Sequence, residues 1–270
     1  MPKITDDSFY LPEIYPTNFN DNLNNSANKP ILISGLDKRT GDRDDYVVKL
    51  RAAERMQGFA FMRELLGSFI ALQLDINTFH PAIIDISTEF LSLLIGNDAY
   101  GVAQKSIGYN FGTKYEKAGF VPILTQPLNQ SQLNHAQNIF LFDLLIQNND
   151  RTDLKPNMLT NGTEIMVFDH ELAFGFIYDI FPGKPGTFRE SDRKWINNHC
   201  LLKLISGKGY DFESFETKLE SIDEDFWNKA WELIPNEWRD GDNFIKIKDY
   251  ISATITNKKE FTEELKLIMS

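Results

Sequence analysis

The sequence predicts an α+β protein in two lobes, strand-rich at first and mostly helical afterwards. Three observations carry this. Residues 30–50 read as a β-hairpin with a polar tip. Residues 157–174 set Asn161-Gly162 between two apolar-rich arms. Residues 131–148 and most of 189–270 place apolar side chains at helical spacing.

Taken in order, residues 1–29 are polar, with scattered Asn and Pro, and read as an irregular N-terminal arm. Residues 30–125 make the first lobe. Its hairpin runs from Ile31–Ser34 to Tyr46–Leu50, with Gly35 and Gly41 in the tip. Val47 and Lys49 share one face of the second strand, since side chains alternate. Residues 57–76 form a helix with Met62, Leu65, Leu66, Phe69, Leu72 and Ile76 on a broad apolar face. Residues 80–87 are a β-type run opened by Pro81. Residues 95–130 are broken by Gly96, Gly101, Gly108, Gly112 and Gly119 and stay ambiguous. Residues 126–270 make the second lobe. It opens with a buried helix at 131–148, for which Ser131 is a plausible N-cap.

Composition narrows the function classes. The 270 residues carry a formal net charge of −11, which argues against a nucleic-acid binder and an anionic membrane partner. Net charge does not exclude a local basic pocket for a phosphorylated ligand. Cys200 is the single cysteine, so no internal disulfide can form, and a reducing cytoplasm fits best. No apolar run is long enough to cross a bilayer, and the N-terminus lacks the pattern of a signal peptide.

The chemistry-bearing residues concentrate in 148–170. A buried helix ends near Gln147, a polar loop holds Asp150, Asp153 and Asn157, and the hairpin ends in Phe168-Asp169-His170. Folding back about Asn161-Gly162 brings Asp169 level with Asn157. Carboxylates and amide carbonyls are the hard donors that Mg²⁺ prefers. A base beside an acceptor hydroxyl, with an Asn and an Asp on the metal, is what phosphoryl transfer needs. Spacing alone does not choose the base. Standard kinase loops separate base and metal Asn by about five positions. Here Asp153 precedes Asn157 by four and Asp150 by seven.

The stretch "FDLLIQNNDRTDLKPNMLTNGTEIMVFDHELAF" resembles the catalytic segment of HipA-like kinases and, more widely, the protein-kinase and phosphatidylinositol-kinase superfamily. Matches fall at Asn148, Asp150, Arg151, Asn157, Asp169 and His170. Weaker likenesses are "FGTKY" (111–115), "HCLLKLISGKGYDFESF" and "IPNEW" (234–238). The resemblance implies a protein-kinase-like fold using ATP and Mg²⁺. It favours Asp150 as base over Asp153, with Asn157 and Asp169 on the metal. Arg151 would hold the loop or a phosphate. Lys49 would hold the ATP phosphates, oriented by Glu64 in "RELLGS". Ser34, Gly35 and the 38–43 tip are candidate phosphate contacts, and Lys155 can point at a phosphate. His170 could orient Asp169.

By resemblance the acceptor is a protein Ser or Thr, and some relatives work with a small regulatory partner protein. Two other readings stay open. One is an inert kinase-fold interaction module, which the complete set of Lys49, Glu64, Asp150, Asn157 and Asp169 argues against. The other is a small-molecule or lipid-headgroup kinase, which an acceptor screen would separate.

Overall fold

The computed structural model describes residues 2–23, 28–56, 59–116, 119–122, 127–180 and 183–270. The architecture is mixed, with strands concentrated in the N-terminal part and helices in the C-terminal part. The chain begins with strands β1 (Glu13–Asn22), β2 (Ile31–Asp37) and β3 (Arg43–Lys49). Helix α1 (Ala60–Gln73) follows, then β4 (Pro81–Ile86), the short helices α2 (Thr88–Ser92) and α3 (Tyr100–Gln104), and β5 (Gly108–Lys114). These five strands close into a barrel in the order β1-β2-β3-β5-β4. Closure comes from a short parallel pairing of Glu13 with Ile83 and Ile14 with Ile84. Ile14, Ile31, Ile33, Tyr46, Val48 and Ile84 fill the interior.

The expected irregular arm over residues 1–29 therefore holds a ten-residue strand. Its pattern hides it, because Ile14 and Pro16 are its only fully buried residues and Asn and Asp occupy much of the remainder. Two register shifts against β2 further disturb the alternation. The β2–β3 hairpin is also longer than expected. Its strands reach Asp37 and Arg43, so Gly35 lies within β2 and not in the tip. A Cβ at Gly35 would collide with Ile14, so glycine lets β1 close on β2.

Helix α1 is buried along its whole length, polar residues included. A helix buried on all sides needs a partner for each polar group. Ser68 Oγ donates to Glu64 O at 3.0 Å, and Gln73 Nε2 donates to Ser221 O at 2.9 Å. Phe61 meets Trp238 of the "IPNEW" segment at 4.9 Å between ring centroids, joining the helix to the C-terminal part.

The second part continues with β6 (Val121–Pro122), α4 (Gln130–Leu145), β7 (Met158–Thr160) and β8 (Ile165–Val167). Then come α5 (Glu190–Asn197), α6 (Leu202–Ile205), α7 (Phe212–Leu219), α8 (Glu224–Leu233), α9 (Gly241–Thr256) and α10 (Lys258–Met269). Helix α4 is capped two residues earlier than Ser131 suggests. Asn129 is its N-cap, accepting from Gln132 N at 2.9 Å, while Gln132 Oε1 accepts from Asn129 N at 3.2 Å. The β7–β8 turn is a four-residue loop, not the expected two-residue one, since Thr160 pairs with Ile165. Only Gly162 there takes a positive φ, at 93°. Asn161 serves through its side chain, accepting from Thr163 N and Glu164 N at 3.1 and 2.8 Å. Among the described residues, no helix is long and apolar enough to cross a membrane.

Candidate active site

The loop after α4 is built on a buried carboxylate that the sequence reading passed over. Asp143, near the end of α4, accepts from Arg151 Nε at 2.5 Å and Nη2 at 3.2 Å, and from Asn148 Nδ2 at 2.9 Å. His199 Nε2 lies 3.0 Å away. Burial pushes the Asp143 carboxyl up, but Arg151 and His199 outweigh it and hold it low, at about 2. Arg151 then reaches past Asp143 to the backbone, donating through Nη1 to Pro156 O at 3.2 Å and Asn157 O at 2.6 Å. With every polar group of its guanidinium turned inward and 1% exposure, Arg151 shapes the loop and is not available to a phosphate.

That scaffold presents the far side of the loop. Phe168 N donates to Asn157 O at 3.2 Å, setting Asn157 opposite Phe168 and so beside Asp169, near the level the fold-back predicts. Asn157 and Asp169 both take left-handed backbone, at φ 48° and 67°. Asn and Asp tolerate that region better than other side chains. Strained backbone of this kind gathers at functional sites.

Lys49 joins the two parts of the chain. Its Nζ pairs with Glu64 and Asp169, and donates to Glu171 Oε2 at 3.2 Å. The second Glu64 oxygen accepts from His170 N at 3.0 Å, which locks α1 to the segment after β8. Close approach is possible because Gly67 has no side chain. A Cβ there would lie 2.5 Å from that of His170, so the glycine lets α1 pack against His170. Among the described residues the buried His170 ring has no hydrogen-bond partner, and burial takes it down to about 3. It is a neutral spacer that meets Asp169 through the backbone and does not orient its carboxylate.

Lys155 is the second cation. Its Nζ pairs with Asp150 and lies 3.3 Å from Asp169 Oδ2. Asn157 Nδ2 is 3.5 Å from Asp150 Oδ2. The two extra loop residues form a small turn in which Thr152 and Lys155 exchange backbone hydrogen bonds at 3.1 and 3.0 Å. Asp153 and Leu154 sit exposed at its tip, and Asp150 and Lys155 point inward. The loop thus brings Asp150 together with Asn157 and Asp169 and leaves Asp153 in solvent.

Charge in this cluster is unbalanced. Glu64, Asp150, Asp169 and Glu171 supply four carboxylates against the ammonium groups of Lys49 and Lys155. The strain falls on Glu64. Burial raises its carboxyl to about 7 against the pull of Lys49, and Asp169 and Glu171 push it the same way. Burial also raises Glu171, with Asp169 adding to it. Asp169 is 10% exposed at its side chain, and Lys49 and Lys155 overcome that burial to keep it well below the carboxylate range. Burial lowers Lys49, but Asp169, Glu64 and Glu171 more than restore its charge. Glu64, Asp169 and Glu171 can bring one oxygen each within 4.8 Å of one another. All three surround the Lys49 ammonium, and the hard oxygen donors at the cleft that fit a divalent cation of the magnesium type are those of Asn157 and Asp169.

The cluster opens on a cleft of about 430 Å³ between the barrel and the helical part. Val47 and Phe111 line the barrel side, and Met158 and Phe168 line the other. Leu23 and Pro30, flanking the connection from β1 to β2, line the cleft together with Lys49, Lys155, Asn157 and Asp169. Ser34 and Gly35 do not line it. Ser34 Oγ is engaged with Asp45 Oδ1 at 2.6 Å, and Gly35 backs onto β1. The tip of the β2–β3 hairpin does not line the cleft, whereas Leu23 and Pro30 do. Glu171, which the sequence gave no reason to select, belongs to the cluster, and its position two residues after Asp169 was the available signal.

A lysine, its helix glutamate and a metal-type aspartate facing an Asp/Asn loop across an apolar cleft point to the kinase-type phosphotransferases. A family model described as HipA-like kinase matches residues 38–264. That is well over half of the sequence, and the chain belongs to the HipA-like kinase family. No curated protein matches it closely enough to compare.

Proposed function

We propose that this chain transfers the γ-phosphoryl group of ATP, with magnesium, to a hydroxyl of a protein serine or threonine. The observation that carries the reading is Lys49, which pairs at once with Glu64 and with Asp169, far away in sequence. Lys49 grips the nucleotide phosphates, and Glu64 orients it. The apolar walls from Val47, Phe111, Met158 and Phe168 offer a slot for the nucleobase. Asp150 accepts the proton of the acceptor hydroxyl as its oxygen bonds to phosphorus. The bond from phosphorus to the bridging oxygen breaks, and ADP leaves. Lys155, between Asp150 and Asp169, meets charge on the transferred group. Asn157 and Asp169 are the residues that would hold magnesium, whose chemistry there is to neutralise phosphate charge. Catalysis comes from positioning and charge and needs no covalent intermediate. The protein acceptor rests on family resemblance, and the family match supports the kinase class.

Calorimetry of Mg-ATP binding, combined with phosphate-transfer assays, tests the reading on wild type and Asp169→Ala. Wild type should bind Mg-ATP and transfer phosphate, and the variant should lose both metal-dependent binding and transfer. Indistinguishable Mg-ATP binding by the two proteins would overturn the site assignment.

A further inference from the structure

Glu171 does something that neither the metal set nor the base explains. Its Oε2 accepts from Lys49 Nζ at 3.2 Å and from Asn28 Nδ2 at 2.5 Å. Both carboxylate and amide are buried, at 1% and 7% exposure. Asn28 lies in the connection between β1 and β2, whose base is closed by Leu23 N donating to Pro30 O at 2.8 Å. Leu23 and Pro30 border the cleft. On its other side, Asn28 Oδ1 accepts from Arg55 N at 3.3 Å. One carboxylate oxygen therefore links the phosphate lysine, the segment after Asp169 and the lip of the barrel.

The geometry points to Glu171 as a positioning residue that sets nucleotide affinity by latching Asn28, and with it Pro30 at the edge of the cleft, onto Lys49. This rests on the nucleotide reading above. Without the carboxylate the buried Asn28 amide keeps only the weak Met56 sulfur as acceptor, which makes the link costly to break. Its loss frees Asn28 from the helical part without removing any group proposed to touch the transferred phosphoryl. The signature is weaker nucleotide binding with the chemical step largely kept.

The test uses the full chain with Mg-ATP as probe, reading the ATP dissociation constant, KM and kcat for each variant. Thermal melting checks that each variant is folded. Glu171→Ala and Asn28→Ala should each weaken ATP binding and raise KM about tenfold, with kcat falling no more than about threefold. The double variant should be no weaker than the worse single one, because both break one link. Glu171→Gln keeps an oxygen acceptor for Asn28 and should stay within about threefold of wild type. Asn28→Asp sets two carboxylates against each other and should bind as poorly as Asn28→Ala. Combining it with Glu171→Gln should restore binding, since the amide can then donate to the new carboxylate.

Additive losses in the double variant would overturn the latch. So would an Asn28→Ala protein with wild-type ATP affinity. A Glu171→Ala protein with collapsed kcat and a changed magnesium requirement would make Glu171 a metal ligand and overturn it too. Absence of Mg-ATP binding by folded wild type would instead bring down the nucleotide reading, and the latch with it.

Discussion

Two carboxylate clusters flank the same loop, and they differ in charge balance. Around Asp143, one carboxylate meets the Arg151 guanidinium, the Asn148 amide and the His199 ring, all buried. Around Lys49 and Lys155, four carboxylates meet two ammonium groups beside a cleft. The first is closed and neutralised, as a structural network must be where water is excluded. The second is left with excess negative charge, and its partners face an opening. The difference separates a loop-building cluster from the one proposed to carry chemistry within one short stretch of sequence. Arg151 and Asp150 are adjacent in the chain and belong to opposite clusters.

The sharpest way to test that division is at the adjacent pair. Asp150→Asn should lower phosphate transfer by about 10²–10⁴-fold, as loss of a general base does, while ATP binding persists. Asp153→Asn should leave transfer within about twofold, because it lies exposed at the loop tip. A reversal of these two results would reassign the base and leave the rest standing.

The closed cluster should answer in stability instead. Asp143→Ala strands a buried guanidinium and should cost about 3–5 kcal/mol. Thermal melting should show a midpoint lowered by about 10 °C. An Asp143→Ala protein that melts like wild type would remove the contrast between the clusters.

pH should drive the two clusters in opposite directions. Folding raises Glu64 from its ordinary 4.5 to about 7, so the native state holds a proton that the unfolded chain releases in that window. Stability from this group is present below about 4.5 and is lost as pH rises to about 7. Asp143 is depressed from 3.8 to about 2, so its contribution is present above 3.8 and lost as pH falls. Urea unfolding between pH 5 and 8 should show wild type losing on the order of 2–3 kcal/mol relative to Glu64→Gln. Parallel pH curves for the two proteins would contradict the charge imbalance assigned to Glu64.

The smallest effect is expected at the contact between α1 and the hairpin. Gly67→Ala places a methyl against His170 and should cost about 1–3 kcal/mol by overpacking. Because α1 carries Glu64, transfer should fall along with denaturant stability. Full transfer in a destabilised Gly67→Ala protein would show that this spacing does not govern the lysine.

Legibility in the sequence followed periodicity and local chemistry. Helices α1 and α4 were readable because apolar residues recur at helical spacing. The β7–β8 hairpin was readable from Asn161-Gly162, although the turn is longer than a two-residue one. Strand β1 was not, because a strand with a polar outer face and two register shifts breaks the alternation that would announce it. At the site, Lys49, Glu64, Asp150, Asn157 and Asp169 were legible as a group, since one hairpin and one loop bring most of them together. Ser34 and Gly35 do not reach the cleft, because β2 runs on to Asp37, Ser34 is engaged with Asp45 and Gly35 backs onto β1.

The sequence by itself determined the order of strand-rich and helical parts, the polar loop after a buried helix, and the residue types proposed for phosphate and metal chemistry. All of these are local, set by neighbours within a turn or a strand. Only the tertiary structure decided the barrel closure, the inward turn of Asp150 over Asp153, the structural role of Arg151 and the place of Glu171. Each depends on a partner far along the chain, such as Ile83 for Glu13 or Asn28 for Glu171. Long-range pairing and the cost of burying charge leave no periodic trace in a sequence, so they become visible only when the chain is folded.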